Sequence, residues 1–151
     1  MFFVVVYFFC LLLLGYQRVK YNMKVELYVY GVIMSERLVA ITDKLRDMSM
    51  KWVLSGLDPS FVGKVEDFMD RGEGLYSASR NCVFKHAFEE YVALNSLYQS
   101  VLLDVSKAQI EGSITYEEAK KYMNVLKEAY ETYKDLAIKN FKWNCGCQIR
   151  F

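Results

Sequence analysis

A chain of 151 residues with 54% hydrophobic, 16% aromatic and 25% charged side chains is long enough to bury a core of its own and too apolar to stay disordered. Its formal net charge of +1 gives no global pull towards nucleic acid or an anionic membrane, so either would have to be met by a local patch. The single histidine excludes sites that need two or more, among them the paired Glu-x-x-His motifs of di-iron bundles and the His-Glu-x-x-His zinc motif.

Residues 1–15 read MFFVVVYFFCLLLLG, without a charge, and Arg18, Lys20 and Lys24 follow. Three readings compete. As a membrane anchor the apolar stretch 1–16 is short of the roughly 20 residues that span the hydrocarbon core, and the cations after it favour a cytoplasmic C-terminal body. As a secretory signal it lacks a basic start and a small-x-small cleavage site. The third reading places the translation start at Met23 or Met34 and the stretch outside the working protein. The chain is accordingly expected at a membrane, with its body in the cytoplasm, if residues 1–16 are present, and in the cytoplasm otherwise.

The expected division is an apolar segment over 1–22, a short linker or strand over 23–34, a helical bundle over 35–143 and a C-terminal tail over 144–151. The strand reading rests on Val25, Leu27 and Val29 alternating with Lys24, Glu26 and Tyr28, the period of a half-buried β-strand. From Ser35 the period turns helical. Leu38, Ile41, Leu45, Met48 and Trp52 share one face, with Ser35 as N-cap and Ser55-Gly56 as the stop. Asp58-Pro59 opens a second helix with Phe61, Val65 and Phe68 inward, and Asp70-Arg71-Gly72-Glu73-Gly74 is expected to break it.

A third helix, over about 77–111, carries the stripe Phe84, Ala87, Tyr91, Leu94, Tyr98, Val101, Val105 and Ala108. Val83, Val92, Leu97, Leu102 and Leu103 lie off that stripe, which predicts cover on more than one side. After Gly112-Ser113, Thr115 and Glu118 form a capping box for a fourth helix with Ala119, Tyr122, Leu126, Ala129, Tyr133 and Leu136 inward. So short a connection makes the third and fourth helices antiparallel. The predicted fold is an all-α, up-and-down helical bundle dominated by a long antiparallel α-hairpin.

The one histidine closes the run Arg80-Asn81-Cys82-Val83-Phe84-Lys85-His86. An arginine, a polar residue and a histidine at this spacing resemble the motif of the HEPN family of helical nucleases, which lies near a helix start in a small α-helical bundle. The resemblance implies that Arg80 binds the scissile phosphate, that His86 is acid or base on the RNA 2′-hydroxyl or leaving oxygen, that Asn81 orients them, and that no metal takes part. An imidazole that titrates near neutrality and a guanidinium that forks onto phosphate suit those roles. On one continuous helix, residues six apart point about 120° from each other, so convergence requires a frayed first turn at Arg80 or a partner subunit. The competing reading makes Arg80 and His86 surface residues, with His86 paired to Glu89 or Glu90.

Cys10, Cys82, Cys145 and Cys147 form no dense framework, so reduced thiols are expected, with Cys82 a small core residue and Cys145 and Cys147 in a flexible tail. The competing arrangement, Cys145 and Cys147 with Cys82 and His86, has the ligand types of a Cys3His zinc site. No cofactor or metal is implied by the leading reading. Lys139, Lys142 and Arg150 alternate with Phe141, Trp143 and Phe151, a pattern that suits a nucleic-acid backbone or a membrane interface. The expected function is that of a small helical interaction or scaffold protein, membrane-tethered if residues 1–16 are present, binding a protein partner or a second copy through its helix faces. The alternative is a metal-independent HEPN-like ribonuclease using Arg80, Asn81 and His86, working as a homodimer.

Overall fold

The computed structural model describes residues 16–151, with side chains from residue 25 onward except 27 and 28. The anchor, signal and start-site readings of residues 1–15 lie outside the described residues. Among those described, no helix is long and apolar enough to cross a membrane.

Four helices follow one another: α1 (Tyr16–Leu54), α2 (Ser60–Arg80), α3 (Phe84–Ile110) and α4 (Tyr116–Cys145). The contacts Tyr30–Trp143, Arg37–Asp135, Lys44–Glu128 and Trp52–Tyr122 climb α1 while they descend α4, so the two helices are antiparallel. Lys64–Asp104 and Arg71–Glu90 show the same for α2 and α3. The chain is an all-α, up-and-down bundle in which α2 and α4 form the inner pair, with α1 and α3 packed on either side of it.

The inward stripes are those the helical period selects. Ile41, Leu45, Met48 and Trp52 on α1 are buried, as are Phe61, Val65 and Phe68 on α2 and Ala119, Tyr122, Leu126, Ala129, Tyr133 and Leu136 on α4. Trp52 also donates its ring N–H to the Asp58 carbonyl at 2.8 Å, which ties the end of α1 to the loop after it. Gly56, at φ +74°, stops α1 by the left-handed turn that glycine adopts without strain. Thr115 and Glu118 close the capping box of α4 in both directions.

Several expectations are corrected. The segment 23–34 is neither linker nor strand but part of α1, whose described residues run from Tyr16 through Ser35 to Leu54. An alternating segment with no neighbouring strand leaves its backbone groups unpaired, and a helix satisfies them internally. Tyr30, Met34 and Leu38 then fall on one helical face and pack with Tyr76 and Leu136.

The glycines at 72 and 74 do not break α2, which runs through them to Arg80. A β-carbon on Gly72 would overlap the Tyr133 ring, and one on Gly74 would fall 2.7 Å from a Glu90 carboxylate oxygen. The two glycines are contact points inside a helix. The third helix is correspondingly divided: residues 77–80 belong to α2, and α3 starts at Phe84.

Cover of α3 on a second side is incomplete in one copy. Leu97 and Leu102 pack on the core, while Val83, Val92 and Leu103 remain exposed. Phe84 is 45% exposed even though it stacks on Phe141. The tail is also held rather than free. α4 extends to Cys145, Gly146 caps it at φ +66°, Ile149 packs on the core and Phe151 stacks on Tyr91 with ring centroids 4.4 Å apart.

Candidate functional site

The residues singled out by sequence lie at the turn between α2 and α3. As α2 ends, the Asn81 N–H donates to the Ser77 carbonyl at 3.1 Å and the Val83 N–H to the Ala78 carbonyl at 2.9 Å. Cys82, between them, has φ +61°, a left-handed conformation that costs a residue with a side chain about 1–2 kcal/mol. Two features hold that turn in place. Cys82 is bridged to Cys145 at the end of α4, with Cα atoms 5.7 Å apart. Buried Asn140 on α4 donates to the Tyr76 carbonyl at 3.3 Å and to Ser79 Oγ at 3.1 Å, while Ser79 Oγ donates to the Tyr76 carbonyl at 2.8 Å.

The bridge corrects the expectation of reduced thiols at Cys82 and Cys145, and it removes the zinc arrangement, because two of its three sulfurs are bonded to each other. Cys147 is the free cysteine among those described. Helix packing brings the two bridged positions to one end of the bundle, a proximity that their spacing in sequence does not encode.

The turn also removes the objection that Arg80 and His86 share one helix: Arg80 closes α2 and His86 lies in the first turn of α3. The structure joins His86 to other residues, however. Its Nε2 is 3.6 Å from Glu90 Oε1 and its Nδ1 4.0 Å from Glu89 Oε2. Among the described residues it makes no hydrogen bond or ion pair with Arg80 or Asn81. Glu90 is the centre of this group. Its side chain is only 9% exposed, Arg71 Nη1 donates to its Oε1 at 3.2 Å, and Gly74 leaves the room it occupies.

A carboxylate this enclosed requires a cationic partner to offset its lost hydration, and Arg71 is that partner. Sequence reasoning missed Arg71, because its pairing with Glu90 crosses from α2 to α3 and has no local signature. The group places the His86 ring between two carboxylates. Those same carboxylates repel an incoming phosphate.

Two other features are already satisfied internally. Tyr98 and Tyr130 stack at 4.3 Å, Tyr91 and Tyr130 share a hydroxyl–hydroxyl hydrogen bond of 3.1 Å, and Tyr130 donates to Asn95 Oδ1 at 3.1 Å. Burial pushes the Tyr130 hydroxyl well above the ordinary phenol range, and the bond with Tyr91 adds to it. Phe151 belongs to this stack and Phe141 to the core, so neither is available to stack on bases. The recess between α1 and α4 beside Tyr122 is rimmed by Lys44, Lys51 and Lys121 against Asp47, Glu118 and Glu128. Its charges cancel. Comparison of the chain with protein-family models, curated proteins and solved structures finds no match.

Proposed function

We propose that this chain is a helical interaction protein that binds through the outer faces of its helices and is tied to a membrane by its apolar N-terminal segment. One observation carries the reading: large apolar side chains stand in rows on the solvent side of α1 and α3, among them Val29, Val32 and Val39 on α1 and Phe88, Val92 and Leu103 on α3. Scattered surface hydrophobics need no explanation, but rows of them along a helix mark interaction surfaces. By contrast, His86 beside the α2–α3 turn is engaged with Glu89 and Glu90, and Glu90 with Arg71. The membrane part of the reading rests on the uncharged sequence 1–15 leading into α1, whose first described side chain packed on another helix is Tyr30.

Flotation of the full chain with phosphatidylcholine vesicles tests the tether. The parent is expected in the vesicle fraction, and a variant with Val5→Glu, Phe9→Glu and Leu12→Glu in the pellet. A parent that stays in the pellet overturns the membrane reading.

A second reading, the HEPN-like ribonuclease, is favoured by the break at Cys82, which frees Arg80 and His86 from a single helix. RNA incubated with the chain in EDTA decides it: cleavage that is lost in both Arg80→Ala and His86→Ala supports the nuclease, and intact RNA with the folded parent ends it.

A further inference from the structure

We infer that the outer face of α1 is a self-association seam on which a second copy of this chain packs its own α1 antiparallel. The inference rests on the reading of the chain as a helix-face interaction protein and names the partner. Opposite its buried stripe, α1 carries a second row at alternating spacings of three and four: Val29, Val32, Glu36, Val39, Asp43, Arg46, Met50 and Val53. That alternation is the 3.5-residue repeat of a coiled-coil seam. All eight are exposed; the apolar members are 41–63% exposed. Among the described residues, Glu36, Asp43 and Arg46 have no ion-pair partner. A shallow depression lined by Val32, Ser35, Glu36, Val39, Ala40 and Asp43 lies on the same face, where a side chain from a facing helix would seat.

The charges choose the occupant and its direction. In a parallel pair Glu36 would face the partner's Glu36 and Asp43 the partner's Asp43, and like charges opposed in a seam are destabilising. In an antiparallel pair centred near residue 41, Glu36 faces the partner's Arg46, Val32 the partner's Met50, Val29 the partner's Val53, and Val39 the partner's Asp43. The two-fold axis makes every one of these contacts twice. Shifting by one heptad either way loses this match: Arg46 then meets the partner's Val29, or Glu36 meets the partner's Val53 while Val29 and Val32 are left outside. The pairing sets the two Tyr16 ends about 75 Å apart by helix rise.

Sedimentation velocity of the full chain, in a mild non-ionic detergent, tests the pairing with exposed charges whose exchange leaves the bundle core untouched. The parent is expected to be a dimer. Glu36→Arg alone and Arg46→Glu alone each turn two attractions into two repulsions and are expected to weaken self-association about tenfold. Mixed in equal amounts, the two variants restore a dimer, because each then meets the opposite charge at both contacts. A monomeric parent, single variants that pair as well as the parent, or a mixture no better than its components overturns the proposal. The two readings fail separately: a chain that floats with vesicles but stays monomeric loses this seam alone, and one that pairs but does not float loses the tether alone.

Discussion

The Tyr133 ring lies against the backbone of Gly72, in the space where any other residue would carry its β-carbon. α2 and α4 approach each other there with Tyr133 fully buried between them. Gly72→Ala is expected to cost about 1–3 kcal/mol, the range for forcing extra volume into a packed core. Gly63, in the same helix, has open space where its β-carbon would sit, so Gly63→Ala should stabilise by about 0.5–1 kcal/mol through helix propensity alone. Urea titrations of the two variants give the comparison, and equal shifts of the same sign would show that the contact is not what requires glycine at 72.

Tyr133 carries a second consequence. Among the described residues its hydroxyl is buried without a hydrogen-bond partner, and the Thr42 hydroxyl that faces it donates to the Leu38 carbonyl at 2.9 Å. Burial pushes the phenol well above its ordinary range. An unsatisfied buried hydroxyl costs about 1–3 kcal/mol, so Tyr133→Phe, which keeps the ring on Gly72, is expected to leave stability unchanged or raise it by about 1 kcal/mol. Thermal melts of both proteins test this, and a clearly lower midpoint for the phenylalanine variant would mean that the hydroxyl is partnered.

The inward positions over 41–52 on α1, 61–68 on α2 and 119–136 on α4, and most of the stripe on α3, are legible in sequence because a 3.6-residue period is local and the core is continuous. What could not be read depends on contacts between distant residues. Gly72 and Gly74 look like a break until Tyr133 and Glu90 are seen against them, and residues 23–34 look like a strand until Tyr30 and Met34 are seen on Tyr76, Leu136 and Trp143. The capping box at Thr115 and the stop at Gly56 are local devices, and the structure has both where the sequence places them. The candidate site divides in the same way. The approach of His86 to Glu89 and Glu90 follows from spacing along α3, whereas Arg71 and the Cys82–Cys145 bridge come from other helices.

Asp135 gives the bundle a pH-dependent contact. It accepts from Arg37 Nη1 at 2.8 Å and lies 3.0 Å from Lys139 Nζ. Partial burial raises its carboxyl, but the hydrogen bonds from Arg37 and Lys139 outweigh that and hold it below the usual carboxylate range. A carboxyl lowered by folding stabilises fully above its unfolded pKa and loses that contribution as the pH falls through the folded value. The group is too exposed to contribute more than about 1 kcal/mol. Asp135→Asn should therefore lower stability by up to about 1 kcal/mol at neutral pH, and the gap from the parent should close in acid. Denaturation across that range is the measurement, and a gap that stays constant would assign the loss to packing.

The bridge between Cys82 and Cys145 closes a loop of 63 residues, for which chain entropy alone gives about 4 kcal/mol and native proteins typically show about 2–4. Reduction, or Cys82→Ser with Cys145→Ser, is expected to lower stability by that amount. The loss should begin locally. Cys82 sits in a left-handed conformation that the bridge helps to impose, so hydrogen exchange should rise first at residues 80–86, while the helix end held by Asn140, Ser79 and Tyr76 stays protected. The same bridge reports on surroundings, because a structural disulfide persists where they are oxidising. Rapid acid quenching of cells, alkylation without reductant and peptide mass analysis should find Cys147 modified and Cys82 and Cys145 protected until they are reduced. Alkylation of all three in the unreduced sample would restore the reduced chain expected from composition, and with it a turn at Arg80 and His86 held by the Asn140 hydrogen bonds alone.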